Sequence, residues 1–146
     1  MTFIGGAGAA VINGIGGEGI YNVAGGGGST TVTGGKGTNF TASMAPGSSA
    51  LVTLTPSAGT ILFGAGETTV REAGWEIGGT TYQFASGHGG GVNVIEGFMA
   101  GTDKLSLLGE VGVASTAVIA GSARMMLTDG TSLTLVGVTN TARLFG

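Results

Sequence analysis

Short runs of alternating apolar and polar residues, cut by glycine-rich or proline-containing breaks, dominate this chain. Leu51-Val52-Thr53-Leu54-Thr55 and Thr60-Ile61-Leu62-Phe63 read as strands by their two-residue period. Pro46-Gly47 and Pro56-Ser57-Ala58-Gly59 mark the turns around them. Further on, Met125-Met126-Leu127 and Leu133-Thr134-Leu135-Val136 flank Asp129-Gly130, a strong hairpin signal. The best helix candidate is short, around 114–123, and its β-branched residues argue against it.

The N-terminal glycines add a longer period. GGAGAAVIN at 5–13, GGEGIYNVA at 16–24, GGGGSTTVT at 25–33 and GGKGTNFTA at 34–42 share one nine-residue template, with Gly14 and Ile15 inserted after the first. Its apolar eighth place holds Ile12, Val23 and Val32, then Thr41. The glycines supply tight turns, and the residues around the eighth place form a short strand with that side chain inward. Two such units complete one coil of about 18 residues, so successive coils stack as parallel strands. The expected fold class is therefore all-β: a parallel β-roll or β-solenoid of Gly-rich nonapeptide coils, followed by C-terminal strands and a hairpin. Residues 1–81 form the coils and 82–146 the C-terminal β region, as one continuous domain. Trp75, Tyr82 and Phe84 supply bulk for a wider coil or a cap.

Composition narrows the class. Glycine makes up 33 of 146 residues, three times or more the usual share of about 7%. Only 9% of residues are charged, yet 42% are apolar and two are proline, which argues against disorder. The glycines follow no three-residue period, which excludes collagen. Net charge is −3, and the five bases are scattered, so nucleic acid is not an expected partner. No apolar run reaches the ~18 residues of a membrane span. There is no cysteine, which avoids oxidation chemistry in an exported protein. The N-terminal MTFIGGAGAAVINGIGG lacks a basic region and makes a poor cleavable signal, so an export signal would lie elsewhere.

With these residues in place, the chain resembles the RTX-type (hemolysin-type calcium-binding) β-roll repeat family, in an aspartate-poor variant. Beyond the nonapeptides, YQFASGHGGGVNVIEGFMAGTDKLSLLG is similar to the segment that follows the family's repeats, and LTDGTSLTLVGVT resembles its closing hairpin. The resemblance implies export to the extracellular space by bacterial type I secretion machinery, through an uncleaved C-terminal signal ending in TARLFG. It also implies calcium bound between turns by an aspartate at the sixth place of each unit. Here those places hold Ala10, Tyr21, Thr30 and Asn39, and Asn93 stands where the later segment expects aspartate. Asp103 alone matches a family acid and is the one weak metal candidate. Calcium needs six to eight oxygens with carboxylate charge. No cofactor is expected, and calcium could be held only weakly.

Other candidate chemistry is thin. His88 in SGHGGG has no cysteine or second histidine to share a metal and reads as an exposed turn residue. Glu67, Glu72 and Glu76 read as a solvated face with Arg71 as partner rather than a catalytic pair. The glycines at 5–20 lack the strand–turn–helix context of a dinucleotide fingerprint. Threonines at 30–33, 53–55 and 131–135 suit either exposed strands or a binding lattice. An enzyme is not expected.

Few charges and unguarded strand edges favour self-association instead. The expected function is that of an exported structural protein whose subunits polymerise head to tail into extracellular fibres. Its assembly edges would be Phe3 and Ile4 at one end and Leu133, Leu135, Leu144 and Phe145 at the other. Two alternatives belong to other classes: the C-terminal export and capping module of a larger adhesin, and a Thr-face module binding ice or glycan.

Overall fold

The computed structural model describes residues 2–4, 7–13, 20–25, 28–34, 39–44, 46–54, 59–72 and 79–145. These residues contain fourteen strands: β1 (Thr2–Ile4), β2 (Ala10–Asn13), β3 (Ile20–Gly25), β4 (Ser29–Gly34), β5 (Asn39–Met44), β6 (Ser49–Leu54), β7 (Thr60–Phe63), β8 (Glu67–Glu72), β9 (Thr81–Ala85), β10 (Val92–Glu96), β11 (Lys104–Leu108), β12 (Val113–Ile119), β13 (Ser122–Leu127) and β14 (Ser132–Val136). Among the described residues no helix is long and apolar enough to cross a membrane.

The strands form two sheets, and up to β11 the chain changes sheet at every step. Sheet A has six strands in the order β1-β3-β5-β7-β9-β11. Sheet B has eight, in the order β12-β13-β14-β10-β8-β6-β4-β2. Pairing is parallel throughout except between β12, β13 and β14. Short connections make this possible because each crosses to the opposite sheet rather than returning to its own. Both sheets run without a break across residue 81: β9 pairs with β7, and β10 with β8.

The spacing varies more than a nonapeptide rule allows. Ile12 pairs with Val32, 20 residues on, which is two units plus the two-residue insertion. Val23 pairs with Ala42, 19 on, so Thr41 falls opposite Asn22 and not opposite Val23. The spacing between paired strands shortens to 18 residues between Ser49 and Glu67, then widens to 25 between Glu67 and Val92. Strand pairing fixes which residues align, and the turns absorb the differences in length.

Alternation then sorts side chains between inside and outside. In sheet B, Ile12, Val32, Val52, Val70, Ile95, Leu135 and Ala123 align strand to strand in one row, and all are buried. Facing them from sheet A are Ile61, Phe63, Tyr82, Phe84 and Leu105. The Phe63 and Phe84 rings stack at 4.8 Å, and Tyr82 lies 5.9 Å from Phe98, so aromatic bulk collects in this part of the core. Trp75 lies outside the described residues.

Two corners show why glycine is required. A Cβ on Gly79 would sit 1.6 Å from the Thr102 carbonyl oxygen of the next coil. Gly97 has φ +92°, and a Cβ there would meet the Glu72 carbonyl oxygen at 2.7 Å. Stacked corners approach each other too closely for any side chain.

The C-terminal part departs from the coils. Residues 114–119 are strand, with Ala120 (φ 50°) and Gly121 (φ 74°) turning the chain, so the candidate helix is absent. The run Val113-Ala114-Ser115-Thr116-Ala117-Val118-Ile119 has four β-branched residues, which suit a pleated strand. The expected hairpin is present as β13 and β14: Leu127 N–H donates to Thr131 O, and Thr131 N–H to Asp129 Oδ1. Gly130 takes φ +84°, the left-handed value this turn needs. The tail then folds back on β11, where Leu105 N–H donates to Leu144 O at 2.7 Å.

Candidate functional site

The weak metal candidate, Asp103, is a buried corner carboxylate. Its Oδ1 accepts the Thr80 N–H at 2.8 Å and its Oδ2 the Met99 N–H at 2.7 Å. Its own N–H donates to Met99 O, closing a turn just before β11. One carboxylate thus ties the Met99–Asp103 turn to the preceding coil at Thr80. Burying the charge is costly, and two charge-assisted hydrogen bonds offset it.

Glu72 ends β8 with its side chain on the inward side of that alternation, close to this corner. Burial, with the Asp103 carboxylate nearby, raises its pKa above the usual 4.5. The hydroxyl of fully buried Tyr82 and the Thr80 side chain face the Glu72 carboxylate. Burial, and then the negative charge of Glu72, push the Tyr82 phenol above its ordinary range. The expected solvated acidic face is therefore divided. Glu67 is exposed, Glu72 turns in, and Glu76 lies outside the described residues. Arg71 pairs instead with Glu96 on the next strand, Nε to Oε2 at 2.8 Å.

The four sixth-place positions and Asn93 do not fall on one lattice. Ala10, Thr30 and Asn93 share a sheet-B row with Ala50, Thr68 and Leu133, directly beside the aliphatic row. Tyr21 and Asn39 lie in sheet A in different rows, opposite Phe40 and Ile20. The 19-residue spacing shifts the phase of that sheet by one residue. Within the sheet-B row, Thr68 Oγ1 and both polar atoms of Asn93 are buried without a hydrogen-bond partner. His88 is exposed on a turn after β9.

The threonines divide in a similar way. On the outer face of sheet B, Thr31 and Thr33 form the T-x-T step of β4. Their row neighbours are Val11, Asn13, Leu51 and Thr53, and β8 offers Thr69 with Arg71. Thr30 and Thr131 point inside and are buried, and Thr55 lies outside the described residues.

The edges are the remaining site. β1, with Phe3 and Ile4, is the outermost strand of sheet A, and Ile4 is 78% exposed. Leu133 and Leu135 are fully buried in β14, which has a neighbour on each side, so neither lies on an open edge. Leu144 is also fully buried, as an anchor beneath the tail, while Phe145 remains 44% exposed opposite Leu105. The open edge at that end is β12, which the sequence reading did not identify as a strand. All seven of its residues are exposed, and none is charged. Its signal was the β-branched content of 113–119.

Comparisons with protein-family models, with curated proteins and with solved structures find no match.

Proposed function

We propose that this chain is an exported structural protein, an aspartate-poor relative of RTX-type β-rolls. Its subunits are β-solenoids that self-assemble into extracellular fibres without requiring calcium. The change of sheet at every strand up to β11 supports the solenoid reading. The observation that carries assembly is β12: a seven-residue, uncharged, wholly exposed strand at the end of an eight-stranded sheet. Proteins that stay monomeric usually guard such an edge with lysine, proline or a covering loop. Calcium independence rests on the corners: the one matching acid, Asp103, already accepts two backbone N–H groups.

A second reading has its own support. The antiparallel β12–β13–β14 segment and the tail over β11 resemble a terminal cap, as an export and capping module of a larger adhesin would need. Negative-stain electron microscopy in EDTA, with a calcium control, separates the two. Filaments in EDTA support the fibre. Monomers in both conditions rule it out and leave a capping or Thr-face binding module, and filaments only with calcium overturn calcium independence.

A further inference from the structure

We propose that the fibre contact is a parallel pairing of β12 of one copy with β2 of the next, with Val118 opposite Ile12 and Ala117 opposite Val11. The inference rests on the fibre reading and specifies its interface.

Direction comes first. β2, β4, β6, β8, β10 and β14 all run the same way. β13 reverses, and β12 reverses again, so the two outermost strands of sheet B point in the same direction. A copy moved along the sheet without rotation therefore offers a parallel β2 to β12.

Register comes next. The aliphatic row starts at Ile12, passes Val32, Val52, Val70, Ile95, Leu135 and Ala123, and ends on β12 at Val118. The adjoining outward row runs from Val11 through Thr31, Leu51, Thr69, Val94, Thr134 and Arg124 to Ala117. Inside-to-outside alternation is thus in phase at the two ends. A slip by one residue would exchange the faces, and a slip by two would set Thr116 in place of Val118 in the aliphatic row, so continuing the rows selects a single register.

Chemistry agrees. Val118 is 47% exposed, Val11 is 78% exposed, and the small Ala117 leaves room for Val11. Neither strand carries a charge or a proline. Sheet B has eight strands to the six of sheet A, so β12 projects at that end and meets the next copy first. The contact uses different surfaces on the two copies and does not close, which yields a filament.

The test uses the full chain and two exposed positions. Ala117→Lys and Val11→Glu, purified separately and shown by circular dichroism to keep the wild-type fold, should each raise the concentration needed for filaments by about tenfold or more. An equal mixture should assemble again, because each Lys-bearing β12 then meets a Glu-bearing β2. Cross-linking gives an independent readout, since the natural chain has no cysteine. Oxidised V11C/A117C should form a ladder of covalent multimers, and A117C alone should not form dimers.

Failures are distinguishable. If Ala117→Lys blocks assembly and Val11→Glu does not, or if A117C dimerises, β12 pairs with itself and the proposal is wrong. If both single variants assemble like the wild type, the contact lies elsewhere while the fibre reading stands. A wild-type chain that remains monomeric at every concentration overturns the fibre reading and the proposal with it.

Discussion

The middles of the strands and their corners are built on different terms, although both are buried. The row from Ile12 to Leu135 is wholly aliphatic, and each residue packs against its counterpart in the next coil. Two residues away, the row through Thr30, Ala50, Thr68, Asn93 and Leu133 is also buried but sets polar Thr30, Thr68 and Asn93 among apolar Ala50 and Leu133. Beside the other corners lie Glu72, Tyr82 and Asp103. Of these groups, Asp103 has its hydrogen bonds, whereas Thr68 and Asn93 lack partners. Among the described residues, the strand middles and corner carboxylates that accept backbone N–H groups, Asp103 above all, thus contribute to stability. Unpartnered buried polar groups elsewhere detract from it.

That contrast can be broken most severely in the middle. Ile95→Ala, in the fully buried row, should cost about 3 kcal/mol in urea unfolding, from lost transfer free energy and the cavity left behind. Asp103→Asn should follow at about 2 kcal/mol, because an amide cannot accept both the Thr80 and Met99 N–H groups. If assembly is calcium-independent as proposed, unfolding of the wild type and of this variant alike should be insensitive to added calcium.

Effects of opposite sign are expected along the polar row. Thr68→Val and Asn93→Leu each replace an unpartnered buried group by an apolar one of similar size, and should stabilise by about 1 kcal/mol. A loss of stability at either position would show that these groups are satisfied in solution, and would remove the contrast.

The smallest effect should come from Glu72. Its folded-state pKa is raised above 4.5, so the folded chain binds this proton more tightly than the unfolded chain. The resulting stability is fully present below 4.5 and is lost as pH rises through the higher folded-state value. Thermal midpoints should therefore fall on going from mildly acid to neutral pH, and Glu72→Gln should flatten that part of the profile.

Much of the architecture was legible beforehand because it depends on local chemistry. Ile12 and Val32 share a row, as the repeat with its insertion requires, and Asp129-Gly130 makes the hairpin turn. Thr41 was misaligned by one residue, because nonapeptide counting has no means of placing an extra turn residue. Residues 114–123 are the best helix candidate by sequence because short apolar runs fit either period, although their β-branched content already argues for strand. Leu133 and Leu135 looked like an end of the sheet because they lie near the end of the chain. The return of β12 and β13 alongside β14 places them inside it.

Sequence alone therefore determined that this chain would be built of short strands turned by glycine, with alternating side chains sorted between core and surface. Those properties follow from the strand period and from backbone freedom at single residues. Tertiary structure alone decided which edge stayed open and that Asp103 would reach the Thr80 N–H as well as its own turn. Both depend on which strands lie side by side, relations across 20 or more residues that no local pattern encodes.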